Sequence, residues 1–383
     1  MKLTKLFTEF FESEKSGGMV LVACTIVSLF LANSSWQQQY IHFWHTPIAN
    51  QSLEYWINDG LMAIFFLLVG LELEREIYQG ELSSLKNATL PIFGALGGML
   101  VPAGIFLLLN FGKPSQPGAG IPMATDIAFA IGVLSLLGNR VPPALKVFLT
   151  ALAVIDDLGA ILVIAIFYTS TIHLGYLLAA ALIFAVLLVF NRLKIHHLLP
   201  YLIGGIALWY CMLHSGVHAT ISGVLLAFAI PFGKGDEKTI SYKMQKFLHL
   251  PVAFFILPLF ALANTCITIG ENWTENLYNN NSIGIFMGLV FGKPIGIFLF
   301  AWLAVKTKLG AMAEGINWKQ LFGAGMLGGI GFTMSIFITL LAFPGQEEMI
   351  LGSKIAILLA STTAALAGFA WLLMSLPTVK RES

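Results

Sequence analysis

The sequence predicts an all-α polytopic membrane protein with about twelve transmembrane helices, and three observations carry that expectation. Of 383 residues, 57% are hydrophobic and 11% charged, with mean hydropathy +0.83, whereas soluble domains carry about 25% charged residues. Apolar runs near the ~20 residues that a helix needs to cross a bilayer recur at 17–34, 56–78, 89–109, 118–138, 145–169, 174–192, 199–213, 216–231, 248–269, 284–305, 321–343 and 351–376. The basic residues alternate in step with those runs. Eighteen of the 21 Lys and Arg fall on the side of the two termini, Lys113 and Lys354 fall on the other, and Lys293 lies inside a span. Such a bias assigns both termini to the cytoplasm and calls for an even number of spans. Residues 1–383 therefore read as a single transmembrane domain.

Taken in order, the first residues combine Lys2 and Lys5 with an apolar run, as a signal peptide does. Glu9, Glu12 and Glu14 argue against that, and Leu3, Leu6, Phe7, Phe10 and Phe11 recur at helical spacing. An amphipathic helix on the membrane surface before the first span is the better expectation. The 36–55 segment has no Lys or Arg but holds Trp36, Tyr40, Phe43, Trp44 and Tyr55. It either rests in the headgroup region, where aromatics are favoured, or forms a hairpin that joins two subunits. The seventh and eighth runs are short and nearly fused. Cys24, Cys211 and Cys266 lie in apolar stretches and read as packing residues rather than a disulfide framework. Net charge +1 gives no attraction to nucleic acid. No GxxxxGK[ST] sequence is present, which argues against ATP-driven transport, and no cofactor is expected.

The informative residues are the charges inside the spans. The chain has five Asp, and three of them, Asp126, Asp156 and Asp157, fall deep in apolar runs; each costs about 2.5–3.5 kcal/mol on insertion scales. Gly118, Gly120 and Pro122 precede Thr125 and Asp126, so the fourth span reads as an interrupted helix lining a cavity. A proline kink with Thr125 and Asp126 as caps fits the same residues. Lys293, in the tenth span, lies too deep to snorkel and needs Asp156, Asp157 or Asp126 as a partner. The glycines from Gly323 to Gly331 give the eleventh span a second interruption, or else close helix packing. Spans three to five (89–169) and ten to twelve (284–376) form triplets of opposite topology, leaving 17–78 and 174–269 outside them. Paired broken segments in inverted repeats point to a transporter site at the midplane.

The chemistry follows from the carboxylates. Burial and a neighbouring acid both favour the protonated form, so a buried Asp–Asp pair can exchange protons near neutral pH. Successive helical residues point about 100° apart, so one carboxylate can face a pathway while the other reaches Lys293. A small cation and protons then compete for the same oxygens.

The pieces Ala124-Thr125-Asp126-Ile127-Ala128-Phe129-Ala130, Ile155-Asp156-Asp157-Leu158-Gly159-Ala160, Ser215-Gly216-Val217-His218-Ala219-Thr220, Gly292-Lys293-Pro294 and Gly329-Ile330-Gly331-Phe332-Thr333-Met334-Ser335 occur in this order. Together they resemble the NhaA-type sodium/proton antiporters of Gram-negative bacteria over nearly the whole chain. The resemblance implies that broken helices four and eleven cross at mid-membrane, with Asp157 as cation and proton site, Asp156 paired to Lys293 when sodium is absent, and Thr125 beside them. Asp126 and Lys293 would offset the charges of the half-helix ends. It further implies electrogenic export of Na+ or Li+, with about two protons per cation, across the inner membrane, and pH regulation through Glu72, Arg75, Glu76, His218 and His249. Gln245 and Lys246 depart from the family pattern, which has an acidic residue and a histidine there. The rival expectation is a sodium-coupled symporter of a small organic anion, which needs a larger polar site than these residues offer. An intramembrane aspartyl protease lacks its Gly-x-Gly-Asp and Tyr-Asp sequences here, and a channel has no use for titrating groups at the midplane. His214 and His218 have metal-ligand spacing, but Gly216 between them breaks the helix.

Overall fold

The computed structural model describes residues 5–169, 172–270, 277–312 and 315–376; Lys2 and Leu3 lie outside them. Helix α1 (Lys5–Ala32) runs without a break from the expected surface segment into the first span. The surface helix and the span are therefore one element, a correction to the expectation of two. A short α2 (Gln37–Trp44) follows, then β1 (Pro47–Ile48) and β2 (Gln51–Ser52), antiparallel with Pro47 opposite Ser52. Ala49 and Asn50 take positive φ at the turn, as a two-residue hairpin turn requires. The 36–55 segment thus contains a two-stranded hairpin at its centre.

The spans that follow are α3 (Leu53–Tyr78) and α4 (Leu85–Asn110), then a 3-10 segment (Gln116–Met123) leading into α5 (Ile127–Ser135), and α6 (Pro143–Phe167). After these come α7 (Leu174–Arg192), α8 (Leu198–Ser215), α9 (Ile221–Ala229), α10 (Ile240–Asn264) and α11 (Asn280–Lys306). The last are α12 (Trp318–Gly328), α13 (Phe332–Ala342) and α14 (Glu347–Ser375). The ends are set by local chemistry. Pro143 occupies the first turn of α6, where its missing N–H costs nothing. A reciprocal Asn317–Gln320 capping box starts α12, and Gly216, at φ +88°, ends α8.

Among the described residues, ten helical stretches are long and apolar enough to cross a membrane, and α12 with α13, bent by 45°, makes an eleventh. The expected eighth span is the exception. Within 216–231 only nine residues, Ile221–Ala229, are helical, about 13 Å at 1.5 Å per residue, so the segment is not one continuous helix and its helical part covers only a portion of a crossing. The ninth also differs: α10 begins at Ile240, eight residues before the apolar run, so Lys243 to His249 lie on a helix.

Packing places α4 against α11 along Gly97 and Gly296. A Cβ on either would stand 2.1 Å from the other's carbonyl oxygen, so the two backbones touch, as small residues permit between membrane helices. α3 lies on α9 with Gly223 against the Ala63 carbonyl, and α1 lies on α5 with Gly18 facing Ala128. The rings of Phe66, Phe337 and Phe260 join α3, α13 and α10 at the centre. Helices α7 and α8 form a peripheral pair, largely exposed.

Candidate functional site

Both interruptions are present, and they meet. Ala124 and Asp126 are extended between the 3-10 segment and α5, and the 329–331 break separates α12 from α13. Breaks in a membrane helix leave backbone groups that must find partners within the protein, and here each break serves the other. The Asp126 N–H donates to the Ile330 carbonyl at 2.6 Å, and Ser335 donates to the Ile121 carbonyl at 2.7 Å. Asp126 Oδ1 accepts the Phe129 N–H (3.0 Å), while Oδ2 accepts the Thr333 N–H (3.0 Å) and its hydroxyl. One carboxylate thus caps the N-termini of both α5 and α13, and Phe129 and Phe332 pack edge to face beside it.

Replacing Thr333 with Val removes a hydroxyl donor from this buried carboxylate while keeping side-chain shape. We expect a loss of about 1–3 kcal/mol, read as a lower thermal unfolding midpoint of the purified protein. Thr333→Ser should stay near wild type.

The acids of α6 lie next to this crossing. Lys293 is wholly buried; its Nζ donates to Asp156 Oδ2 at 2.7 Å and to the Met123 carbonyl, at the end of the 3-10 segment. A wide helical turn over Gly288–Gly292 directly precedes it. The Thr125 hydroxyl lies 2.7 Å from Asp156 Oδ2 and 2.8 Å from the Gly328 carbonyl, the last residue of α12. A hydroxyl carries one hydrogen, so it donates to one of the two at a time. Asp157 is 2% exposed, and its Oδ1 has no hydrogen-bond partner, as is true of Asp156 Oδ1. Within the crossing, three buried carboxylates face one ammonium. With all four ionised, two negative charges are in excess.

The second expected group divides. Glu72, Glu74, Arg75 and Glu76 lie on the last turns of α3, with His249 Nδ1 3.9 Å from Glu72 Oε1 and Gln245 approaching the same carboxylate. Glu76 accepts the Glu81 N–H at 3.1 Å, and Glu72 lies within electrostatic reach of Asp157. His218 stands elsewhere. Its Nε2 is 2.9 Å from the carbonyl of Tyr168 at the far end of α6, and the Tyr168 hydroxyl donates to Pro117 at 2.7 Å. His214, beyond the Gly216 turn, packs against Tyr210 and Tyr176, so the two histidines do not share a helix face. The cysteines Cys24, Cys211 and Cys266 are free and partly buried.

Sequence reasoning missed Thr333 as a partner of Asp126, although it sits just past the second break as Thr125 sits at the first. It also missed Gly97, and Ser361, whose hydroxyl accepts the Phe332 N–H at 3.1 Å.

Comparison with known proteins identifies the family. The sequence matches the family described as Na+/H+ antiporter 1 over residues 8–372. It is 63% identical to a Na(+)/H(+) antiporter NhaA of Flavobacterium psychrophilum over 369 residues, 96% of each chain. It is 61% identical to one of Cytophaga hutchinsonii, covering 98% of this chain and 97% of that one. A relative of the same name from Dechloromonas aromatica is 59% identical over 97% of this chain and 96% of its own. On its length of match and its crossed broken helices, the chain belongs to the Na+/H+ antiporter 1 family.

Proposed function

We propose that this chain exchanges Na+ or Li+ for protons across the bacterial inner membrane, two protons per cation, with both termini in the cytoplasm. The observation that carries the reading is the excess of two buried carboxylates over Lys293, with Asp157 Oδ1 left without a donor. An uncompensated buried charge is strongly disfavoured, so the set takes up protons or a cation, and each displaces the other. Asp157 is the shared site. Thr125 lends an oxygen when its hydrogen turns to Gly328. Asp156 gives up Lys293 as the cation enters, and the lysine releases its proton in that step. Release from Asp157 and from Lys293 then gives two protons for one charge moved, which makes the cycle electrogenic.

In this reading Asp126, at two helix N-termini, and Lys293, at the end of the 3-10 segment, offset half-helix charges of about half a unit each. The triplets 89–169 and 284–376 are the inverted-repeat core, working against 17–78 and 174–269. Glu72, Arg75, Glu76 and His249, with His218 at the other end, tune the response to pH; Gln245 stands among them as a neutral amide. The 36–55 hairpin joins two copies.

Everted membrane vesicles holding an acid-inside gradient test the proposal. Added Na+ or Li+ should dissipate the gradient and choline should not. An imposed membrane potential should change the rate; indifference to potential would exclude unequal exchange, and no response to Na+ would exclude the exchange itself.

A further inference from the structure

Helix α6 carries one more buried oxygen that the crossing does not use. Thr150 is 5% exposed, and its hydroxyl has no hydrogen-bond partner. A helical threonine ordinarily donates to the carbonyl four residues back. Thr25, Thr339, Thr362 and Thr363 all do so, at 2.7–2.8 Å. Thr150 makes no such bond. It lies seven residues before Asp157, which places both side chains on one face of α6, within about 20°, and about 10 Å apart along the axis. The side of Asp157 on which it lies is that of Lys146 and Arg140, the basic end. Glu72 of α3, within electrostatic reach of Asp157, adds another buried oxygen, Oε1, without a hydrogen bond.

We propose that Thr150 Oγ1 is a way-station for the transported cation, holding it between the basic face and Asp157 while it exchanges hydration water for protein oxygens. This rests on the exchange reading above. A hard monovalent cation takes oxygen ligands, and Asp157 alone offers too few to replace a hydration shell in one step. Thr150 and Glu72 supply neutral and acidic oxygens on the approach. A hydroxyl buried without a partner is destabilising, and Val has nearly the same shape without that cost, so packing gives no reason for threonine here.

The test uses the full-length protein in everted vesicles, comparing wild type with Thr150→Val, Thr150→Ala and Thr150→Ser for exchange as a function of Na+ concentration. Loss of one ligand oxygen should raise the half-saturating Na+ concentration about fivefold to tenfold in the Val and Ala variants, with a smaller change in maximal rate. Serine, which keeps the oxygen, should recover most of that loss, and the thermal midpoint of the Val variant should equal or exceed that of wild type. The proposal is overturned if Val and Ala stay within about twofold of wild type, if Ser loses as much as Val, or if affinity falls only together with the thermal midpoint. Wild type that fails to exchange sodium sinks the proposed function itself, whereas exchange unaltered by Thr150→Val sinks only the way-station.

Discussion

Asp157→Asn should abolish sodium-driven proton movement, lowering it by about 100-fold or more, equivalent to about 2.7 kcal/mol on the barrier. The amide has nearly the shape of the acid but neither binds a proton at neutral pH nor carries charge. Because Asp157 Oδ1 makes no hydrogen bond and its side chain is buried, the swap breaks no contact that holds the fold. The protein should therefore insert and purify as wild type does. Asp156→Asn is the contrasting case. It leaves Lys293, fully buried, without its anion at 2.7 Å, and stranding one member of a buried pair costs about 3–5 kcal/mol. Its damage should thus appear in stability as well as transport. Everted-vesicle exchange together with thermal unfolding separates the two, and residual exchange above about a tenth of wild type in Asp157→Asn contradicts the assignment.

The second large effect is expected at the contact of α4 and α11. Gly296→Ala puts a methyl group 2.1 Å from the Gly97 carbonyl oxygen, and the obstacle is backbone, which cannot rotate aside. The helices must separate, at a cost of about 3 kcal/mol or more. Lys293 lies three residues earlier on α11, so the shift also pulls its ammonium from Asp156. We expect poor recovery of folded protein and a thermal midpoint several degrees lower. Gly104→Ala is the internal control: it lies on the same α4, where an added Cβ meets nothing within 4 Å. Similar midpoints for the two variants would show that the helices are not in backbone contact.

Much of this was legible in the residues. Pro122 and the glycines around it mark the first break because proline removes a donor and glycine weakens the helix, and Gly328, Gly329 and Gly331, with no proline, mark the second. Adjacent Asp156 and Asp157 had to point apart on a helix, and the buried Lys293 had to find an acid. The rest is information that one stretch does not hold. The 216–231 run is apolar enough to cross, but hydropathy counts side chains and cannot tell nine helical residues from sixteen. The start of α10 was hidden because its first turns are polar, Ile240 to Gln245 being a helix end outside the apolar run. Gly97 looked like any glycine in an apolar helix, since its partner is 199 residues away. Thr333 is visible in the sequence as part of a motif, but its bond to Asp126 depends on how two breaks align in space.

The double cap at Asp126 constrains how this molecule can move. The second halves of both broken spans start on the two oxygens of one carboxylate, α5 on Oδ1 and α13 on Oδ2, so pulling α5 from α13 would strip Oδ2 of its donors inside the protein. The crossing must then swing as a single stiff unit against its surroundings, and whatever opens and shuts lies at its edges, not at its knot.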